Sequence, residues 1–255
     1  MKGTLTIDIG NTWVKVACFQ ETRLVATTRF ASCDGSVLAR FISTYKPGAA
    51  IVSSTASPAV TQGIVESLRS RCSQVMQLTH ETPMPLTVAY RTPDTLGRDR
   101  IATAVGAWCR MQDDGDASDA LVIDAGTAIT LDLTLADGTF VGGNIAPGVA
   151  LRFAALHEHT GRLPLVDAQG EMPLVGYDTA TAIRSGVLRG VLGEVRDYVA
   201  VLRDRHPRLR VFLAGGDGKW LNDRLQGMEC ADYYEHLAAE GLNRIYLYNQ
   251  ANGNC

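Results

Sequence analysis

Two short segments carry the residue types of a phosphate site. Asp8-Ile9-Gly10-Asn11-Thr12 and Asp124-Ala125-Gly126-Thr127-Ala128 each end an apolar run with Asp-x-Gly and a small polar residue. Glycine permits a tight turn, and its missing side chain lets a phosphate oxygen reach backbone N–H groups. An aspartate at a strand end can hold a hydrated Mg²⁺, directly or through water. That chemistry assigns Mg²⁺ to Asp8, with Asn11, Thr12 and Lys15 as donors for phosphate oxygens. Alone, the Asp8 segment fits an ordinary hairpin turn equally well, because Asn and Gly are common there. As a pair on opposite walls of one cleft, the two segments make a clamp for a triphosphate and its metal.

A third segment, Gly97-Arg98-Asp99-Arg100, has the composition of a proton-transfer site. In phosphoryl transfer the transition state is loose, so a base mainly orients the hydroxyl and takes a late proton. Asp99 suits that task, and Arg100 can hold an anionic or carbonyl part of a substrate. The competing reading is a helix N-terminus with surface ion pairs. Asp217, after Ala214-Gly215-Gly216, closes a strand where a base or ribose can pack against backbone; taken alone, a plain strand-to-helix turn explains it better. No Walker A pattern is present, nor a protein-kinase glycine loop or Asp-Phe-Gly. His157-Glu158-His159 lacks the i, i+4 spacing of a helical zinc site and reads as a solvated helix end. Trp13, Trp108 and Trp220 read as packing residues.

These residues need elements to position them. Alternation predicts strands over Thr4–Ile9, Trp13–Phe19 and Arg23–Phe30. Asp34 can cap a helix to Tyr45, Ala49–Ser53 is a short buried strand, and Ser57-Pro58 opens a helix to Arg71. After a strand at Val75–Leu78, the Thr- and Pro-rich stretch Thr79–Leu96 is a long loop of the kind that is often functional. A helix over Arg98–Met111 and the polar stretch Gln112–Asp119 complete the first half. The second half is expected to hold strands at Ala120–Asp124, Ile129–Leu135, Thr139–Ile145 and Leu209–Ala214. Its helices are expected at Pro147–His157, Thr179–His206, Lys219–Leu225 and His236–Asn249. The echo of Thr4–Thr12 in Ala120–Ala128 suggests a duplicated strand–turn–strand, hence two related α/β domains over 1–115 and 116–255. Ile183, Val187, Val191 and Val195 form a helical stripe that either packs internally or needs a partner subunit.

Composition narrows the function classes. The chain has 255 residues, 46% hydrophobic and 20% charged, which is a globular profile. Net charge is −3, so no bulk electrostatic case exists for nucleic acid or anionic membrane. The six cysteines show no zinc-knuckle or redox-pair spacing and read as reduced thiols. Strand-like sequence from Thr4 leaves no room for a signal peptide, and no apolar run is long enough to span a bilayer. A cytoplasmic location is the expectation.

The ordered set resembles the type III pantothenate kinase family. It comprises Asp8–Lys15, Gly97–Arg100, Asp124–Ala128 with Thr130 and Asp132, Gly142–Gly148, Thr179 before Ala182–Gly186, and Ala214–Asp217. The resemblance implies two ribonuclease H-like (actin/hexokinase-type) α/β domains with a nucleotide cleft between them, and ATP-dependent phosphorylation of pantothenate, the first step of coenzyme A synthesis. It implies that Asp8, Ile9, Gly10, Asn11, Thr12, Trp13, Val14, Lys15 and Thr127 bind ATP and that Asp99 accepts the proton. It implies pantothenate contacts from Tyr90, Gly97, Arg98, Asp99, Arg100 and Thr179, the last across a homodimer interface. Asp124 is implied to bind a monovalent cation, K⁺ or NH₄⁺. Arg98 occupies a place where the family commonly has smaller or apolar residues. Two alternatives stand beside this reading: a kinase of the same fold for another metabolite, and a nucleotide-binding transcriptional accessory factor. Retention of Asp8 and Asp99 argues against the second.

Overall fold

The computed structural model describes residues 3–10, 13–31, 35–225 and 231–254. Asn11, Thr12 and the expected cap Asp34 lie outside these residues. The chain forms two compact units, Met1–Ala117 with Thr134–Val141 and His236–Cys255, and Ser118–Leu133 with Gly142–Glu235.

In the first unit, β1 (Thr4–Ile9), β2 (Trp13–Gln20) and β3 (Arg23–Ala31) form an antiparallel meander. α1 (Gly35–Tyr45) leads to β4 (Ala49–Ser54), which is parallel to β1, and α2 (Pro58–Arg69) leads to β5 (Gln74–Gln77), parallel to β4. The sheet order is β3-β2-β1-β4-β5. Alternation divides the sheet into two faces. Leu5, Ile7, Ile9, Val14 and Val16 pack with Leu38 and Phe41 of α1 and Ile64, Val65 and Leu68 of α2. α2 begins with Pro58 at its first position, while the Ser57 side chain makes no cap bond.

The opposite face of this sheet is covered by two helices distant in sequence. β6 (Thr87–Val88) interrupts the long loop, and α3 (Arg98–Asp113) follows it. Ile51 shares a core with Ile101, Ala104 and Val105 of α3 and with Leu242 and Ile245 of the C-terminal helix, Leu237–Ala251. The expected division at 115/116 is therefore corrected: the last helix belongs to the first unit. Glycines cause this, because they let the two helices touch backbone to backbone. A Cβ on Gly241 would lie 1.7 Å from Ala102 O, and one on Gly106 would lie 2.5 Å from Leu237 O. Arg110 reinforces the contact with two bonds to Glu240, at 2.5 and 2.7 Å.

In the second unit the echoed sequence becomes an echoed topology. β7 (Ala120–Ala125), β8 (Ala128–Thr134) and β9 (Thr139–Pro147) are followed by α4 (Val149–Glu158), α5 (Thr179–Arg205), β10 (Arg210–Ala214), α6 (Gly218–Arg224) and β11 (Ala231–Tyr233); α7 is the C-terminal helix. The strand order β9-β8-β7-β10-β11 repeats β3-β2-β1-β4-β5, with β10 parallel to β7 and β11 parallel to β10. The tip of the β8–β9 hairpin belongs to the first unit, where Thr139 and Phe140 pair with Thr87 and Val88. Ile183, Val187, Val191 and Val195 are buried against Leu121, Ile123, Ile129 and Leu213. This settles the stripe on α5 as internal packing: the sheet of its own unit takes the face that was a candidate for a partner subunit. Among the described residues no helix is long and apolar enough to cross a membrane.

Candidate active site

The register of the first sheet gathers polar groups at one end. Asp8 pairs with Lys15 on β2 and with Ser53 on β4. The turn beyond β1 is closed by a bond from Gly10 N–H to Trp13 O at 3.0 Å. Ile9 and Val14 point into the core and so act as anchors of the turn. Ser53 is fully buried, and neither its hydroxyl nor that of Thr6, two residues before Asp8, has a hydrogen-bond partner among the described residues. Unmatched hydroxyls at such depth are costly unless water or a ligand completes them. Ser53 was not among the sequence candidates. Its one signal was a hydroxyl residue ending an otherwise apolar strand.

Asp99 lies in the first turn of α3 and is half-buried. Its Oδ1 accepts from the Arg100 backbone N–H at 2.9 Å. A helix N-terminus favours a negative charge there. Gly97 is the N-cap, and a Cβ on it would come within 2.5 Å of Asp99 Oδ1. The glycine therefore leaves the carboxylate its room. Arg100 is buried, with its guanidinium 5.6 Å from the centroid of the Tyr90 ring. Tyr90 also packs against Phe140, at 6.4 Å between centroids. Arg98 turns back: its guanidinium donates to the carbonyls of Pro93, Leu96 and Asp94, each at 3.0 Å. In this structure Arg98 fastens the end of the long loop beside Asp99.

In the second unit, Asp124 ends β7 opposite Ala214. Gly215 has φ +85°, and a Cβ on it would meet Asp124 Oδ1 at 2.4 Å and Ala125 O at 2.3 Å. Two oxygens thus converge on a space that only glycine leaves open. Oxygen donors of this kind suit a hard cation. Asp217 donates its backbone N–H to Ala125 O at 2.9 Å, and burial pushes its carboxyl above the ordinary range. Tyr233 on β11 donates its hydroxyl to Gly215 O at 3.5 Å. Burial raises this phenol, and the Glu235 and Asp124 carboxylates add to the shift. Tyr233 carried no sequence signal, since the three-residue strand that brings it here was not expected. The Gly126–Thr127 turn is packed against Gly148, whose N–H donates to Thr127 O at 2.9 Å. No Cβ fits there, because it would lie 2.1 Å from Gly126 O. The Thr127 side chain is left exposed.

Thr179 is the exposed first residue of α5. Asp178 caps that helix by accepting from the Thr181 backbone N–H at 2.7 Å, the main cause of its lowered carboxyl. The preceding loop exposes Leu174 (79%), Val175 (79%) and Tyr177 (69%). Among the described residues no group of three or more His, Cys, Asp or Glu can hold a metal ion. A single carboxylate is sufficient for Mg²⁺ that also binds substrate phosphates.

Comparison with known proteins identifies the family. A family model described as type III pantothenate kinase matches residues 4–201. The chain is 42% identical over 246 residues to a type III pantothenate kinase of Phocaeicola vulgatus, covering 96% of this chain and 98% of the relative. It is 41% identical over 245 residues to the same-named protein of Bacteroides fragilis, covering 96% and 98%. In fold it is similar to an archaeal actin homologue, with a TM-score of 0.55 at 10% identity over 96% of this chain and 99% of that one. With the duplicated sheet order and the Asp8, Asp99 and Asp124 segments in sequence, the chain belongs to the type III pantothenate kinase family.

Proposed function

We propose that this chain transfers the γ-phosphoryl group of ATP to the hydroxyl of pantothenate, with Asp99 as the acceptor of the hydroxyl proton. The observation that carries this assignment is Asp99 itself. It is half-buried in the first turn of α3, given room by Gly97 and flanked by the Arg100–Tyr90 stack. A carboxylate so held has a free oxygen for a substrate hydroxyl. Arg100 is the cation for the carboxylate or amide of pantothenate, and Tyr90 lines the same contact.

The β1–β2 turn takes the ATP phosphates, with Asp8 holding Mg²⁺ and Lys15 beside it. The metal shields phosphate charge during transfer. Thr127 contacts ATP, and the residues that would hold K⁺ or NH₄⁺ are Asp124 and the Ala125 carbonyl. Asn11, Thr12 and Trp13 are further ATP contacts in this reading. Thr179 reaches pantothenate in a neighbouring subunit of a homodimer, and the exposed Leu174, Val175 and Tyr177 beside it supply apolar surface for that contact. A cytoplasmic location is part of the same proposal, since ATP is the phosphoryl donor it requires.

A coupled ADP-release assay tests this directly. Pantothenate should stimulate ADP release, with turnover higher in K⁺ or NH₄⁺ than in Na⁺ at matched ionic strength. ADP release that pantothenate does not stimulate would overturn the substrate assignment. Equal rates in the three salts would remove the cation from Asp124.

A further inference from the structure

The first sheet places like charges where strand pairing disfavours them. Lys15 pairs with Asp8 across β1 and β2, and with Arg29 across β2 and β3. Directly paired residues project from the same face of a sheet. Ser53, Asp8, Lys15 and Arg29 therefore form one row across β4, β1, β2 and β3. The row begins at the fully buried Ser53 and ends at the exposed Lys15 and Arg29.

Like charges directly opposite one another destabilise a strand pair. Among the described residues neither Lys15 nor Arg29 forms an ion pair with a carboxylate. Yet Arg29 is not left loose. Its guanidinium lies 5.3 Å from the centroid of the Trp13 ring, on the residue that closes the phosphate turn. Trp13 is two residues from Lys15 and so shares its face, and it is 46% exposed. A large aromatic left open to solvent is thereby used to hold a cation beside a second cation. An anion between the two would offset their repulsion, and the row leads to it from the carboxylate assigned to the metal.

We propose that Arg29 is a phosphate-positioning residue of the nucleotide site, held by Trp13 and acting with Lys15 on the phosphate chain of ATP. The inference rests on the reading of the β1–β2 turn as the ATP site. It extends that site to β3, about two strand spacings or ~10 Å from Asp8. The long Lys and Arg side chains reach back along the row.

The test uses Arg29→Ala, Arg29→Lys and Trp13→Phe in the full chain, with calorimetric titration of MgATP and of adenosine alongside steady-state kinetics. Arg29→Ala should weaken MgATP binding about tenfold, the equivalent of ~1.4 kcal/mol. Adenosine binding and the KM for pantothenate should not change. Arg29→Lys should recover part of the loss, because it keeps the charge and loses the planar stack. Affinity for MgATP should also fall less steeply with salt in Arg29→Ala than in the unaltered chain. Nucleotide should change tryptophan emission, and Trp13→Phe should abolish that change.

Unaltered MgATP affinity in a folded Arg29→Ala protein would overturn the proposal. So would equal weakening of adenosine and MgATP, which marks a general structural effect, or a shift confined to the KM for pantothenate. Failure of the unaltered chain to bind MgATP would instead overturn the reading of the turn as a nucleotide site.

Discussion

Asp99→Asn separates a proton acceptor from a helix-end carboxylate. In the structure Asp99 Oδ1 accepts one bond, from the Arg100 N–H at 2.9 Å. The amide oxygen of asparagine can accept the same bond. The fold therefore loses only a negative charge in the first turn of α3, worth about 0.3–1 kcal/mol. For a chain of this length, ~1 kcal/mol corresponds to roughly 2–4 °C in Tm. A positioned general base is worth about 10²–10⁴ in rate, or roughly 2.7–5.4 kcal/mol in the barrier. The two roles thus differ by several-fold in energy and appear in different measurements. The expected outcome is a Tm lowered by no more than about 4 °C, with kcat lowered by at least ~10² and MgATP affinity retained. The assay is ADP release at saturating pantothenate and MgATP, with thermal denaturation and nucleotide titration on the same preparation. A folded Asp99→Asn protein turning over within about threefold of the unaltered enzyme would refute the general-base assignment, since that is far below the effect of a positioned base. Joint loss of stability and of both ligands would show a structural carboxylate.

Three further perturbations read the packing around these residues. Gly97→Ala drives a methyl toward Asp99 Oδ1 at 2.5 Å, so kcat should fall while Tm moves little; an unchanged kcat would show that the carboxylate has slack. Gly241→Ala places a methyl 1.7 Å from the Ala102 carbonyl, against backbone that cannot rotate away. Overpacking of that kind costs about 1–3 kcal/mol or more, so calorimetry should show Tm lowered by roughly 2–12 °C; an unshifted Tm would contradict the α3–α7 contact. Asp217 has a folded pKa raised by burial, so the folded state binds its proton more tightly than the unfolded state. Stability from that group is present below the unfolded carboxylate pKa and is lost as pH rises through the raised value. Asp217→Asn should therefore stabilise the protein at neutral pH, and the gain should shrink at acid pH; a gain that grew on acidification would reverse the sign and refute the cause.

The parts that were legible in the sequence are those that a few neighbouring residues determine. Alternation located β1, β2 and β3, and the Asp-x-Gly endings marked the two turns because glycine and a terminal carboxylate are local requirements. The echo of Thr4–Thr12 in Ala120–Ala128 became a repeated strand order, since an equivalent strand–turn–strand starts each sheet. Long-range contacts were not legible in the same way. The assignment of α7 to the first unit depends on Gly241 meeting Ala102, 139 positions earlier, and no local pattern announces that approach. The family resemblance implies a substrate contact at Arg98, and charge alone does not say where its guanidinium turns. Its three carbonyl partners at Pro93, Asp94 and Leu96 exist only once the loop has folded.

Register explains why the sequence hides Arg29 but not Lys15. Lys15 follows Asp8 closely enough to be taken with its turn, whereas Arg29 is fourteen residues further on, in an ordinary alternating strand. Periodicity fixes which residues share a face within one strand, but it leaves open which residue of the next strand lies opposite. A shift of one position on β3 would place Thr28 or Phe30 beside Lys15 and turn Arg29 to the other face. The observed pairing puts Arg29 opposite Lys15 and beside Trp13. A bulge between Cys18 and Phe19 alters the pairing of β2 with β3 farther along, while Lys15 and Arg29 lie in the regular stretch before it. The charge row is therefore a property of strand pairing, and its function has to be tested at the residue that only this pairing brings to the site.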